Sequence, residues 1–408
     1  MLKKIGVDEL RPGMHLHAVC KPWLDHPFWV QRFVIRDAQD LERVRASGAA
    51  ECLIDTRKGL DVAVPAAPPP AVPVVDEPVM PAVDAWLLPC SLEDEATRAV
   101  QLCAAARHTV VALFEQARLG RALQTEGCAT LVDQIAGSMQ RNASALLGMV
   151  RLKSHDDYTF LHSVAVCTLM VGLARQMGMD EDQVRDAGLA GLLHDMGKAK
   201  IALAVLNKPG KLSAEEYELV KRHPRHGHDM LLDTEAPSAM ALDVCLHHHE
   251  RPDGKGYPEG LGGHAFSVPA RMAAVCDVYD AITSNRPYKD GWGPADSIAK
   301  MAEWTRLGKF DAGVFRAFVD CVGIYPVGSL VRLQSQRLAV VVEQSRGVPT
   351  APRVRVFYSI RAQMAIPTET LDLSLPGCRD RILGRESNTQ WRFPFLDALA
   401  TPTVGRRP

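Results

Sequence analysis

The chain has 408 residues, enough for two or three domains with ample core. Its 47 basic and 48 acidic side chains leave a formal charge of −1, which argues against bulk nucleic-acid or membrane-surface binding but leaves room for a small basic pocket. Ten cysteines lie scattered without paired spacing, so thiolate metal sites and a disulfide framework are not expected and a reducing cytosol fits. Met1–Asp8 lacks the apolar run of a signal segment, and no stretch approaches the ~18 apolar residues of a membrane span. A cytoplasmic protein is expected.

Residues 1–62 read as a small, mostly β domain. Leu10–Met14 forms a turn, and short alternating runs follow at His15–Cys20, Phe33–Ile35 and Cys52–Ile54. Asp40–Ser47 reads as one helix ending at Gly48. His15, His17 and His26 are read as packing or surface residues. Residues 63–90 are rich in Pro, Ala and Val and cannot hold a helix or a ladder, so they read as an extended linker. Ser91 with Asp94 looks like a helix cap. One helical stretch runs to about Leu119, breaking near Gly120, and a second runs from about Glu126 to Val150. Such long helices pack on the core or pair with a second copy in a homodimer.

From here histidines accumulate: ten of fourteen fall between His155 and His264, too dense for chance. His162 shares a helical stripe with Val166, Leu169, Met170 and Leu173. A helix starting near Asp180 runs into Gly191-Leu192-Leu193-His194-Asp195-Met196-Gly197-Lys198. There an imidazole and a carboxylate stand on adjacent residues, both ligands for divalent metals, and a carboxylate can bridge two ions. Ser213 and Glu216 form a capping box for a helix whose face is set by Tyr217 and Val220 and continued by His223. His226 and His228 read as supporting or solvated. His247-His248-His249-Glu250 leads into a glycine-dense loop, Arg251–Gly263, where backbone can approach a ligand closely. The helix Pro269–Thr283 places Asp277 and Asp280 on one apolar face, where a carboxylate needs a partner. Residues 327–385 return to β alternation at Leu330–Leu333, Leu338–Val342 and Val354–Tyr358, and the tail after Leu383 reads as loose.

His162, His194-Asp195 and Asp277, in that order, resemble the HD superfamily of metal-dependent phosphohydrolases. The run His248-His249-Glu250-Arg251-Pro252-Asp253-Gly254-Lys255-Gly256-Tyr257-Pro258 resembles the signature of its HD-GYP subfamily, the cyclic di-GMP phosphodiesterases of bacterial signalling. The likeness covers residues 91–325. Trp23–Phe28 and Asp55–Leu60 resemble an uncharacterised domain often joined to HD-GYP domains. The implied fold is mainly α: an all-helical HD-type catalytic core at 91–325, the small β-rich domain before it, and a small C-terminal β extension at 326–385 followed by a tail at 386–408.

The resemblance implies two divalent ions. His162, His194, Asp195 and Asp277 would hold one; Asp195, His223, His248 and His249 would hold the other, with Asp195 bridging. Nitrogen and oxygen donors without sulfur suit Fe or Mn, with Zn less favoured. Some relatives recruit a third ion through a carboxylate one turn before the first His; here that position is Tyr158, with Asp157 one step back, which argues against a third. Hydroxide attack on phosphorus between the ions would give pGpG, with GMP left open as the final product. Asp195 and Lys198 would act in catalysis. Gly256, Tyr257, Pro258, Arg286 and Lys289 would bind substrate, with Asp280 and Glu250 supporting the ligands. Other readings are hydrolysis of another cyclic dinucleotide, or a scaffold that contacts diguanylate-cyclase (GGDEF) proteins through the Gly256-Tyr257-Pro258 loop.

Overall fold

The computed structural model describes residues 2–20, 33–36, 40–42, 44, 51–60, 88–123, 125–151, 158–285, 291–345 and 347–401. Trp23–Phe28 and His26, most of the expected linker, Asp157, Arg286, Lys289 and the end of the tail lie outside them. The chain separates into two compact units, Met1–Val79 and Met80–Pro408.

The first unit is an antiparallel sheet of β1 (Leu2–Gly6), β2 (His15–Cys20), β3 (Phe33–Val34) and β4 (Glu51–Asp55), in the order β1-β4-β2-β3. The leading strand β1 escapes the sequence pattern; it pairs Leu2 with Asp55 and Gly6 with Glu51. Ile5, Met14, Leu16, Ile35, Cys52 and Ile54 fill its core. The described part of the expected 40–47 helix is helical.

The second unit begins with α1 (Leu92–Arg118), capped by Ser91 accepting from the Asp94 N–H. Next comes α2 (Glu126–Arg151), expected to be continuous but broken at Asn142, whose φ is −158° and ψ 95°. The Asn142 amide bonds the Cys90 carbonyl and Glu343 instead of facing solvent, so side-chain partners outcompete the helix there. α3 (Tyr158–Gln176) was expected to bury one stripe. From Val164 to Ala174 it is buried on nearly every face, as befits the central helix of a bundle. Around it stand α4 (Glu181–Leu193), α5 (Leu203–Leu206), α6 (Ala214–Val220), α7 (His223–Leu232), α8 (Ala239–His247), α9 (Val268–Thr283), α10 (Pro294–Arg306) and α11 (Ala312–Val322). His223 does not continue α6, contrary to expectation. Lys221-Arg222 turn the chain, and Pro224, lacking an N–H, starts α7.

The last segment is a five-stranded antiparallel sheet, β5 (Leu330–Leu333), β6 (Arg337–Glu343), β7 (Arg353–Ser359), β8 (Met364–Asp372) and β9 (Ile382–Arg385), in the order β8-β7-β6-β5-β9. Both faces of β6 are buried. Leu338, Val340 and Val342 join Leu92 and Ala145 of the helical core, while Ala339 and Val341 meet Val354 and Val356. The loose tail expected after Leu383 is instead folded through Ala400. It forms α12 (Asn388–Trp391) and α13 (Leu396–Ala400), with Leu396 and Ala400 buried and Phe393 edge-on to Phe357 at 5.0 Å.

Candidate metal centre

Five separate elements bring imidazoles and carboxylates to one point. His162 comes from α3, and Asp277 and Asp280 from α9. His194 and Asp195 sit where α4 gives way to a 3-10 turn, Met196–Lys200. His223 opens α7, and His248 and His249 end α8. Close backbone approach makes this possible. A Cβ on Gly197 would lie 1.8 Å from the His223 carbonyl, so only glycine lets α7 start beside Asp195. Glycine is also required at Gly256, where a Cβ would lie 2.5 Å from the Glu250 Cα and the loop doubles back.

Asp195 is 1% exposed and its two oxygens face different histidines. Oδ2 lies 3.4 Å from His162 Nε2 and 3.3 Å from His194 Nε2; Oδ1 lies 3.3 Å from His223 Nε2 and 3.8 Å from His248 Nε2. Asp277 Oδ1 is 3.1 Å from His162 Nε2, and its Oδ2 is 3.8 Å from His249 Nδ1. Donor atoms of His162, His194 and Asp277 lie within 4.8 Å of one another, as do those of His223, His248 and His249.

The far sides of the rings are tied down. His194 Nδ1 meets the Gly191 carbonyl at 2.8 Å, His223 Nδ1 the Val220 carbonyl at 2.7 Å, and His248 Nδ1 the Val244 and Cys245 carbonyls at 3.1 Å. A carbonyl only accepts, so each of these Nδ1 atoms carries the proton and each Nε2 presents a lone pair inward. His162 Nδ1 is held by Asp280 at 2.6 Å. Carboxylate and carbonyl partners of this kind fix metal-ligating histidines.

The inward lone pairs test whether metal fits. His223 Nε2 and His248 Nε2 face each other at 3.2 Å with both protons on the far nitrogens, an arrangement that repels unless an electrophile lies between. His194 Nε2 and Asp195 Oδ1 are buried without a hydrogen-bond partner. Buried polar atoms are rarely left so, and a divalent cation satisfies them. The residues therefore fit metal.

Charge follows the same geometry. Burial and the neighbouring histidines hold His248 well below its ordinary value and lower His249 to about 3, so both are neutral donors. Burial works against a proton on His162, but hydrogen bonds to Asp195, Asp277 and Asp280 outweigh it and raise that ring to about 10. Burial likewise opposes charge on Asp195 and Asp277; the cations and imidazoles around them win and hold both below the carboxylate range.

Lys198, expected to reach substrate, lays its ammonium on Asp195 Oδ2 at 2.5 Å, with about a quarter of the side chain exposed. Glu250 is 1% exposed and takes no part in the donor clusters. Its carboxylate accepts the backbone N–H groups of Glu259, Gly260 and Leu261 at 2.7, 3.1 and 2.9 Å, gathering the glycine loop. Gly256 and Pro258 lie in that loop on either side of Tyr257, whose ring rests 4.7 Å from that of His249. His228 pairs outward with Asp229. Sequence reasoning missed Lys221, whose ammonium lies between Tyr217 and Tyr257. Tyr217, read as a packing residue, is 48% exposed.

A helical core carrying His, His-Asp and Asp on three helices around buried, unsatisfied lone pairs is the arrangement of an HD-domain metal-dependent phosphohydrolase. Family profiles agree: one described as an HD domain matches residues 137–314, and one described as a domain of unknown function (DUF3391) matches residues 2–128. The cyclic di-GMP phosphodiesterase PA4108 of Pseudomonas aeruginosa is 51% identical over 402 residues, 98% of this chain and 96% of that protein. The 3'3'-cGAMP-specific phosphodiesterase 1 of Vibrio cholerae is 34% identical over 177 residues, 43% of this chain and 40% of that protein. Among solved structures, Bd1817, an HDG"Y"P protein of Bdellovibrio bacteriovorus, aligns with a TM-score of 0.48 at 20% identity, covering 78% of this chain and 99% of that one. The chain belongs to the HD-GYP family, with the DUF3391 domain at its N-terminus. Among the described residues no helix is long and apolar enough to cross a membrane.

Proposed function

We propose that this protein hydrolyses cyclic di-GMP to pGpG, and onward to GMP, at two divalent ions that share Asp195. The observation that carries this reading is the opposition across one carboxylate: His162 and His194 face Oδ2, while His223 and His248 face Oδ1. His162, His194, Asp195 and Asp277 would hold one ion and Asp195, His223, His248 and His249 the other. Two ions bound there neutralise phosphoryl charge and lower the pKa of water toward neutrality. The donor set, nitrogen and oxygen without sulfur, favours Fe or Mn over Zn.

The chain's own groups supply the rest. The partners on Nδ1 keep the Nε2 atoms of His162, His194, His223 and His248 aimed inward, so little reorganisation is needed when the phosphodiester arrives. Lys198 balances Asp195 and is exposed enough to swing to a phosphoryl oxygen. Tyr257 offers its ring to a base, Gly256 and Pro258 shape the loop around it, and Glu250 holds that loop. Arg286 and Lys289, outside the described residues, would receive the second phosphate or guanine. We further propose that the protein acts in the bacterial cytoplasm and that the same loop docks diguanylate-cyclase (GGDEF) proteins.

The test is cyclic di-GMP turnover by anaerobically purified protein loaded with Fe(II) or Mn(II), beside a His194→Ala/Asp195→Ala variant. Hydrolysis by the parent alone supports the assignment. Two bound metals without turnover would move the substrate to another cyclic dinucleotide, and 3'3'-cGAMP belongs in the panel because a relative is named for it. Absence of bound metal would sink the ligand assignment.

A further inference from the structure

Leading away from the metal centre is a row of side chains that starts at His249 and Tyr257 and runs on into two residues the hydrolytic machinery leaves unused, Lys221 and Tyr217. His249 is 23% exposed at the centre's outer edge. The Tyr257 ring lies 4.7 Å from it, tilted 31°. Next is the Lys221 ammonium, 5.9 Å from the Tyr257 centroid and 5.5 Å from that of Tyr217. Two aromatic rings thus flank one cation on a path from the metals to the surface. Tyr217 is large, 48% exposed, and set on a seven-residue helix whose other residues are also at the surface. The described partner of Lys221 is Glu218, at 2.6 Å on the outer side and 62% exposed. Exposed pairs of this kind contribute little to stability, so a ligand can displace Glu218 readily.

We propose that Lys221 and Tyr217 form, with Tyr257, a base-reading shelf at the mouth of the metal centre, where Lys221 selects guanine over adenine. This rests on the cyclic dinucleotide reading above and adds what recognises the base. Aromatic rings stack on any base, because every base has a π face. Tyr217 and Tyr257 therefore supply affinity without choice. The choice comes from the ammonium, which has three donors and no acceptor. Guanine presents two acceptors side by side, N7 and O6. Adenine presents N7 beside an amino donor, which meets the ammonium donor to donor. A site built to donate to an acceptor penalises the analogue that lacks it.

The experiment is steady-state kinetics of the full-length, metal-loaded protein on cyclic di-GMP, 3'3'-cGAMP and cyclic di-AMP, with Lys221→Met, Lys221→Arg and Tyr217→Leu. Lys221→Met should raise KM for cyclic di-GMP about tenfold, the loss of one base-edge contact. It should also narrow the preference over cyclic di-AMP by the same factor, with kcat carrying little of the change. Lys221→Arg, whose fork suits N7 and O6, should retain the preference. Tyr217→Leu should raise KM for all three substrates alike. If Lys221→Met slows all three in parallel, or acts on kcat alone, Lys221 merely steadies Tyr257 and the shelf is overturned. A parent that turns over none of the three overturns the proposed function itself; an active parent whose preference survives Lys221→Met overturns only the shelf.

Discussion

Glu95 and Asp195 are both carboxylates buried in the helical unit, and they end differently. Glu95, on α1, is 0% exposed, yet its oxygens meet Arg141 Nε at 2.6 Å and Nη2 at 2.8 Å, with Arg98 and the Cys90 thiol close by. That cluster is closed, with charge matched by charge. Asp195 is as deeply buried, but its oxygens stand 3.3–3.8 Å from four Nε2 atoms, and both Oδ1 and His194 Nε2 lack hydrogen-bond partners. A closed cluster ties two helices together. An open one of the same burial stores unsatisfied donors for something that arrives later. The difference between structure and site lies in satisfaction, not in burial or charge.

The largest effect should come from opening the shared carboxylate further. Asp195→Asn should lower turnover by about a thousandfold or more, since several kcal/mol of charge stabilisation are lost at about 1.36 kcal/mol per decade. Bound metal, measured by elemental analysis, should fall with it. Glu95→Gln should do the reverse. Breaking a buried pair costs about 3 kcal/mol, read as a lower denaturant midpoint, while turnover per folded molecule is unchanged. Its pH signature is definite. Burial raises the Glu95 pKa, but Arg141 outweighs burial and leaves it below the ordinary 4.5. The folded state thus binds the proton less tightly than the unfolded chain. The contribution is complete above about 4.5 and disappears as pH falls through the lower folded value, so parent and variant should converge in acid. If Asp195→Asn destabilised the metal-free protein as much as Glu95→Gln, the distinction between open and closed would fail.

Asp280 sits between the two cases: it is buried and holds His162 Nδ1, the far side of a ligand ring, at 2.6 Å. Asp280→Asn should weaken metal affinity by about 10–100-fold, with activity restored by excess metal. Loss that excess metal does not restore would make Asp280 more than a support.

How much of this was legible in the chain depends on whether the contact is local. Asp277 and Asp280 announce themselves because a helical period puts two carboxylates on an apolar face, and His194-Asp195 because adjacency needs no fold. The break between Val220 and His223 was less visible: apolar spacing runs through it, and only Pro224 marks a new start. The folded end of the chain did carry a signal. Trp391, Phe393, Phe395 and Leu396 within six residues are too apolar for a loose tail, but they follow neither a helical period nor sustained strand alternation. The Lys221 contact with Tyr217 was legible as an i, i+4 helical pair; its contact with Tyr257 had no signal, since it depends on how the glycine loop folds back.

Glu250 gives the smallest effect and the finest test of the comparison. It stands next to the ligand His249 and is as buried as Asp195, so position alone would make it a metal ligand. Satisfaction says otherwise, because three backbone N–H groups already occupy its oxygens. Glu250→Gln keeps one accepting oxygen and replaces the other with a donor that faces N–H groups. The loop at 259–261 should loosen, seen as faster amide exchange there. Metal content should stay at the parent level. The kcat/KM for cyclic di-GMP should fall about tenfold, the cost of losing one charge-assisted hydrogen bond of roughly 1.5 kcal/mol. Loss of metal from Glu250→Gln would place it among the ligands and show that a carboxylate with matched partners can still belong to the site.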